Sequence, residues 1–149
     1  MSDKTLLIEA LEAAKIHLKR AKFNYDQLKN FSDAELLDQK NMNMVDAFML
    51  RFVKLQDVMG AKIFKFLLNA LGENCGNMSV LDMLDRLEKL EIIPSADEWM
   101  EFRKKRNELT HEYPQNEESV LAGIKMALDQ FLQIEKVLFG IEQRSKNLK

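Results

Sequence analysis

A chain of 149 residues, 46% hydrophobic and 31% charged, is long enough to bury one core, and this composition excludes a disordered protein. Its formal net charge of -2 excludes a strongly basic surface, so any contact with RNA would have to be a local patch. Cys75 has no second cysteine to pair with, and one Cys and two His do not make a zinc site by themselves.

Residues that break helices are scarce, which favours an all-α protein. Only 5 Gly and 2 Pro stand against 9 Met and 9 Phe, so little interrupts the apolar periodicity. The N-terminal stretch "MSDKTLLIEALEAAK" has acidic residues in its first turns and no uninterrupted apolar run, which predicts neither a signal peptide nor a membrane span. We therefore expect one helical domain over residues 1–149, in a reducing cytoplasm and without membrane contact.

The first half of the chain predicts two long helices. Apolar residues spaced by three and four predict the first from about Asp3 to Asn30. Ser32 and Glu35 have the spacing of a capping box, which predicts a new start and a second helix that continues to about Leu71. Its predicted apolar face includes Met44, Phe48, Phe52, Leu55, Met59, Ile63, Phe66 and Ala70.

Two glycines carry information about this second helix. Gly60 lies in its middle, where glycine costs about 1 kcal/mol relative to alanine, and this indicates close approach of a neighbouring helix. Gly72 follows its predicted end and is placed to adopt the left-handed conformation.

The second half predicts one short and two longer helices. Ser79 opens the short one, which ends near Leu90. Ser95 is the expected N-cap of the fourth helix, with Glu98 as its reciprocal partner, and this helix must stop near Glu112 because Pro114 disfavours helical angles at Tyr113. Asn116 can cap the last helix, whose apolar positions are Ile124, Leu128, Phe131, Ile134, Leu138 and Ile141. The predicted fold is an antiparallel up-and-down bundle of four long helices plus one short helix.

The end of the fourth helix departs from an ordinary apolar seam. Positions spaced 3, 4, 3 and 4 residues apart hold Trp99, Phe102, Arg106, Leu109 and Tyr113. Arg106 therefore occupies an inward position, where an unpaired guanidinium would be costly. Either an acidic side chain neutralises it, or the seam opens there into a cleft or an interface that receives an anion.

His111 follows Arg106 at the end of the same helix. The two residues lie about 140° apart around the helix axis, but a long arginine side chain can converge with a histidine on the last turn. The carbonyl groups at a helix C-terminus favour a cationic imidazolium. A histidine that titrates near neutrality beside an arginine suits phosphoryl chemistry, because one group moves protons while the other stabilises charge on the phosphorus oxygens.

A purely structural interpretation stands beside this one. Arg106 would pair with an acid, His111 would cap the helix, and Tyr113 would pack against the seam. The bare spacing Arg-x4-His favours this structural interpretation, whereas the fuller string "RNELTHEY" is far more specific.

The string Arg-x4-His-x-Tyr, with a polar residue after the arginine and at the end of a bundle helix, resembles the signature of the HEPN ribonucleases. The trailing tyrosine makes it most similar to the HepT-like toxins of that family. The stretch "DAFMLRFVKLQDVMGAKIF", residues 46–64, resembles the second helix of the same group. With the order of the helices, the resemblance covers most of the chain, and the motif alone is specific for function.

The resemblance implies an all-α homodimer that cleaves RNA as an endoribonuclease toxin of a toxin–antitoxin pair. It implies a composite cleft between two facing motifs and metal-independent, cofactor-free attack of the 2′-hydroxyl on the adjacent phosphate. Arg106 would stabilise the phosphorane, His111 would transfer protons, and Asn107 would orient the site. The implied partner is a cognate minimal nucleotidyltransferase antitoxin, which in some pairs adenylylates the motif tyrosine, here Tyr113.

Two other functions remain open on the sequence. The chain could be a non-catalytic binding subunit of a minimal nucleotidyltransferase, since some members of this fold lack nuclease activity. It could also be a purely structural helical dimer, in which case the motif is a coincidence.

Overall fold

The structure of the chain is a computed structural model that describes residues 2–111 and 116–148, the side chains of residues 106–111 excepted. The described elements, in chain order, are α1 (Asp3–Leu28), α2 (Asp33–Leu37), a 3₁₀ turn (Gln39–Asn41), α3 (Met42–Val58), a π-helical turn (Met59–Ile63), α4 (Phe64–Ala70), α5 (Val80–Lys89), α6 (Ala96–His111) and α7 (Glu117–Ser145).

Every regular element within these described ranges is helical, which confirms the predicted all-α bundle. The four long helices are α1, the continuous run from α3 to α4, α6 and α7, and α5 is the predicted short helix. Near the N-terminus of α1, Lys4 Nζ donates at 2.7 Å to the carbonyl of Leu148, three residues after the end of α7. Further along, Lys15 Nζ donates to Glu142 Oε1 at 3.2 Å, so these two helices run antiparallel.

The second predicted helix is interrupted near its start, where the sequence analysis expected a continuous helix. The predicted capping box of Ser32 and Glu35 is present and opens α2. However, Asp38 is extended (φ -70°, ψ 131°), and its side chain accepts the backbone N–H of Lys40 at 3.0 Å. A short polar side chain that binds nearby backbone in this way competes with helix continuation. Asn41 closes the break, because its buried amide donates to the Glu35 carbonyl at 2.9 Å.

The run from Met42 to Ala70 contains one extra residue in a turn. The backbone N–H of Phe64 donates to the carbonyl of Met59, five residues back, which makes residues 59–63 a π-helical turn. Gly60 lies in this turn. Such turns are uncommon and often occur at functional sites. At the far end, Gly72 has φ +87°, and the Glu73 N–H donates to the Leu68 carbonyl at 2.9 Å, which confirms the predicted left-handed helix end.

Aromatic side chains join the long helices in one core. The rings of Phe48, Phe52 and Phe131 are fully buried, and Tyr25 of α1 stacks on Phe131 with centroids 4.6 Å apart. Phe102 of α6 meets the edge of Phe52 at 4.9 Å and 81°. Because such pairs add roughly 0.5–1.5 kcal/mol beyond the area they bury, this cluster fixes α6 against α3.

The start of α6 is fixed by three side chains. Ser95 Oγ accepts the Glu98 N–H at 3.1 Å, which confirms Ser95 as a cap. The Glu98 carboxylate, expected to bond back to Ser95, instead accepts from Gln133 of α7 at 3.2 Å. Glu88 of α5 supplies the second cap, because its carboxylate accepts the Ala96 N–H at 2.8 Å. Four unsatisfied N–H groups begin every helix, and here Ser95 and Glu88 of α5 each accept one of them.

Candidate functional site

Three of the four predicted site residues lie on the last two turns of α6. Arg106, Asn107 and His111 belong to the helical backbone that ends at His111. Their side chains and the whole of Tyr113 lie outside the described part of the chain. The helical rise separates Arg106 from His111 by about 7.5 Å along the axis, a span that an arginine side chain can cross. The convergence of the guanidinium and the imidazole stays a prediction.

The seam that leads to Arg106 is buried as predicted. Trp99 is 8% exposed and Phe102 is 1% exposed. Trp99 packs against Phe64 of α4, with ring centroids 4.8 Å apart, and Phe102 packs against Phe52 of α3. Arg106 is one turn beyond Phe102 on the same helix. The helix that carries the motif is therefore firmly packed against aromatic side chains up to one turn before Arg106.

The basic run "RKKR" does not form a flat patch on the described part of α6. Arg103 is half-buried and faces the long helix of α3 and α4, where it lines a pocket. Lys104 is exposed and lies with Met100 and Glu101 along a shallow surface groove. The described part of α6 therefore has no broad cationic surface, in agreement with the slightly negative net charge of the chain. Any contact of this helix with RNA would be a local patch.

A pocket of about 200 Å³ lies between the π-helical turn and α6. Gln56 and Gly60 border it on one side, and Trp99 and Arg103 border it on the other. Met83 and Leu84 of α5 help to close it. It is one of several described cavities bordered by α6, the helix that carries the predicted motif.

Gln56 is a residue that the sequence analysis missed. Its side chain is buried, with 2% exposed, and neither Nε2 nor Oε1 has a hydrogen-bond partner among the described residues. The signal was present in the sequence, because Gln56 follows Phe52 by four residues and precedes Met59 by three. A polar residue at such a core spacing requires a hydrogen-bond partner.

The histidine outside the motif, His17, lies half-buried on α1. Burial lowers its pKa, and the positive charges of Lys54 on α3 and Arg20 on α1 lower it further. A depressed pKa keeps the imidazole neutral, which makes His17 a poor binder of phosphate anions.

Two features are absent from the described residues. No group of three His, Cys, Asp or Glu side chains among them is placed to hold a metal ion. No helix within the described ranges is long and apolar enough to cross a membrane. Comparison of the whole chain with protein-family models, with curated proteins and with solved structures finds no match.

Proposed function

We propose that this chain is a HEPN-type, metal-independent endoribonuclease toxin of a toxin–antitoxin pair. The observation that carries the proposal is the string from Arg106 to Tyr113, which starts on the last turns of α6, directly after the buried Trp99 and Phe102. A helix whose buried face packs on other helices can hold the groups at its end in a fixed geometry, which is what proton transfer and charge stabilisation at a phosphate require.

The proposed reaction needs three groups and no metal. His111 accepts the proton of the 2′-hydroxyl, whose oxygen then attacks the adjacent phosphorus. Arg106 stabilises the negative charge that builds on the phosphorane oxygens, and Asn107 orients the groups around it. A protonated histidine then donates to the departing 5′-oxygen, which leaves a 2′,3′-cyclic phosphate. Two chains would each contribute one motif to a composite cleft in a homodimer.

The test is growth and RNA cleavage with the chain expressed alone. We expect growth arrest and cleavage that EDTA does not inhibit, and we expect His111→Ala and Arg106→Ala each to abolish both. The matched controls are His17→Ala, which removes the histidine on α1, and Lys104→Ala, which removes an exposed positive charge from the same helix. Circular dichroism checks that each variant is folded. If His111→Ala cuts RNA at the parental rate, the assigned chemistry is wrong.

A second candidate function is a non-catalytic binding subunit of a minimal nucleotidyltransferase. It is favoured by the acidic residues around the motif, because Glu108, Glu112, Glu117 and Glu118 oppose binding of a polyanion. Glu117 and Glu118 are exposed in the first turn of α7. Under this alternative the chain alone is not toxic and cuts no RNA, yet it copurifies with a nucleotidyltransferase encoded beside it.

A further inference from the structure

Three positively charged side chains lie near one another where α1 packs against α3. Arg20 and Lys54 are exposed, and Arg51 is half-buried. Arg51 Nη1 donates to the backbone carbonyl of Arg20 at 3.3 Å, and Lys54 follows Arg51 by three residues on α3. Burial lowers the pKa of His17 on α1, and the positive charges of Lys54 and Arg20 lower it further, so both charges lie near this imidazole. Arg20, Arg51 and Lys54 are together called the α1–α3 cation cluster.

The α1–α3 cation cluster has no acidic partner. Within the described ranges, no Asp or Glu carboxylate forms an ion pair with any of its three members. By contrast, Lys22 and Lys29 on the same α1 helix both pair with Asp26, at 3.7 and 3.6 Å. Asp57, the acid nearest to Lys54 along α3, borders the pocket beneath α6. Because neighbouring like charges repel, an unpaired group of this kind favours the binding of an external anion.

The guanidinium of Arg51 is held in place by a buried amide. Asn24 of α1 is 5% exposed, and its Oδ1 accepts from Arg51 Nη1 at 2.8 Å. The Asn24 Nδ2 donates to Gln27 Oε1 at 2.9 Å, which fixes the orientation of the amide. No described residue accepts from Nε or Nη2 of Arg51, so these donors remain available to a ligand. A guanidinium presents its N–H groups as a planar fork that matches the oxygens of a phosphate.

The α1–α3 cation cluster lies at the level of the predicted motif in the bundle. Phe52, next to Arg51 on α3, packs against Phe102 of α6, one turn before Arg106. The α3 helix therefore lies between the cluster and α6, and packed helices are about 8–10 Å apart. Sites for single-stranded nucleic acid cover about 4–16 nucleotides per binding domain, so one strand can reach both the cluster and the motif.

We propose that the α1–α3 cation cluster binds the phosphate backbone of a single RNA strand that continues to the motif on α6. The slightly negative net charge of the chain requires any RNA contact to be a local patch, and the described part of α6 does not form one. The cluster is such a patch, and phosphate contacts by Lys and Arg provide most of the affinity for nucleic acid. The choice of RNA as the polyanion rests on the proposed nuclease function, whereas the geometry of the cluster does not.

Binding can be measured apart from cleavage with a short single strand of 2′-O-methyl RNA, which lacks the hydroxyl that the proposed reaction needs. The test variant is Arg20→Gln/Lys54→Gln, because both side chains are exposed and the packed Arg51 is left unchanged. Fluorescence anisotropy should show about tenfold weaker binding than that of the parent at about 0.15 M salt. Each phosphate contact contributes about 0.7 to the slope of log affinity against log salt concentration, so the slope should fall by about 1.4.

The matched control is Lys89→Gln/Lys136→Gln, which removes the same charge from exposed positions of α5 and α7. This control should keep the parental affinity and the parental salt dependence, because neither lysine belongs to the α1–α3 cation cluster. Circular dichroism checks that both double variants are folded.

The pKa of His17 gives a second measurement, on the parental chain. The chain has two histidines, and His17→Gln assigns the imidazole signal of His17 in the NMR spectrum. Phosphates bound at the cluster would offset the positive charges of Lys54 and Arg20 that act on this imidazole. An NMR titration should therefore give a higher pKa for His17 with saturating 2′-O-methyl RNA than without it.

Three results would each overturn the proposal. The parent does not bind the 2′-O-methyl strand, or Arg20→Gln/Lys54→Gln binds it as tightly as the control variant does, or the pKa of His17 is the same with and without the strand. If the parent binds poly-glutamate through the cluster and does not bind the strand, the cluster is a site for an acidic protein partner instead.

This proposal and the nuclease proposal can fail separately. If RNA cleavage depends on His111 while Arg20→Gln/Lys54→Gln binds RNA like its control, the cluster is not an RNA site and the nuclease stands. If binding of the 2′-O-methyl strand depends on the cluster while the parental chain cuts no RNA, the nuclease is wrong and the RNA site stands.

Discussion

The indole of Trp99 lies against Gly60, with Nε1 3.7 Å and Cζ2 4.0 Å from the place where a Cβ would stand on that residue. This contact joins α6 to the π-helical turn about two turns before the proposed catalytic arginine. A neighbouring helix therefore lies beside Gly60, as expected, but not so close that glycine is required. The distance of 3.7 Å is an ordinary van der Waals contact, so one methyl group fits without displacement.

Gly60→Ala is therefore expected to stabilise the chain. Alanine lowers the conformational freedom of the unfolded chain, and the gain at an unstrained helical position is about 0.5–1 kcal/mol in the free energy of unfolding. Gly140→Ala in α7 is the matched control, because nothing lies within 4 Å of its added Cβ. Urea unfolding measures both. A loss of stability at position 60 together with a gain at position 140 would show that the Trp99 contact tolerates no added methyl.

The sequence predicted those parts of the fold that depend on local rules. The caps at Ser32 and Ser79 and the left-handed Gly72 follow from spacing and turn chemistry, as does the apolar face of the second helix up to Ile63. Beyond the π-helical turn that face was wrong, because the predicted Phe66 and Ala70 are only partly buried, whereas Phe64, Leu67 and Leu68 are in the core. The break at Asp38 was missed, because a single side chain hydrogen bond there outweighs a pattern that otherwise continues. The π-helical turn was also missed, since helical periodicity does not reveal one inserted residue.

In the candidate site, too, the sequence predicted some features and could not predict others. The placement of Arg106, Asn107 and His111 on one helix follows from spacing, and the helical backbone of α6 through His111 confirms it. Whether the side chains converge depends on tertiary contacts and on a second chain, which no local rule supplies. Gln56 was overlooked because a lone polar residue in an apolar face has a clear meaning only when its surroundings are known.

His17 predicts a specific dependence of stability on pH. Burial, aided by the charges of Lys54 and Arg20, lowers its pKa in the folded state below the ordinary value of about 6.5. As the pH falls below about 6.5, the unfolded chain takes up the proton before the folded chain does, so the folded state loses stability. The loss stops once the pH is below the folded pKa.

Urea unfolding between about pH 5 and pH 7.5 measures this effect, and His17→Gln is the control that removes it. The parent should lose stability toward the acidic end, and His17→Gln should lose less. If the free energy of unfolding changes equally with pH in the two proteins over this range, His17 titrates alike in the folded and unfolded states.

The proposed homodimer predicts which exposed phenylalanine contributes to the interface between the two chains. Asn24 of α1 accepts from Arg51 of α3 at 2.8 Å, which brings their exposed sequence neighbours Phe23 and Leu50 to the same level of the bundle. The buried pair of Phe52 and Phe102 places α6 at this level too, one turn before Arg106. We expect an interface at this level to include Phe23, which is 65% exposed.

Light scattering should show a dimer for the parent and a monomer for Phe23→Lys. The protein concentration should be tens of micromolar, which is roughly above the dissociation constants of stable interfaces. Phe139→Lys is the matched control, because Phe139 is 61% exposed on α7, near the opposite end of the bundle. If Phe139→Lys dissociates the dimer and Phe23→Lys does not, the interface lies away from the motif, and the composite cleft is wrong.

The position of Tyr113 predicts how the proposed nuclease is regulated, namely by modification of this tyrosine. It follows His111 by two residues and lies outside the described residues, so the prediction depends on the sequence and on the proposed function. The partner nucleotidyltransferase would catalyse attack of the Tyr113 hydroxyl oxygen on the α-phosphorus of ATP, with release of pyrophosphate and of the phenolic proton. The new phosphodiester would place an anion within reach of Arg106, so it would occupy the guanidinium that the RNA phosphate requires.

Incubation with the partner nucleotidyltransferase and ATP should add one or more AMP masses to the peptide that contains Tyr113, and RNA cleavage should fall in proportion. Tyr113→Phe should fold, cut RNA and resist this neutralisation. Tyr25→Phe is the matched control, because Tyr25 stacks on Phe131 in the core and should leave both modification and cleavage unchanged. If Tyr113→Phe is neutralised as readily as the parent and no mass is added to either, the antitoxin acts by binding alone, since only a bound partner would then cover Arg106.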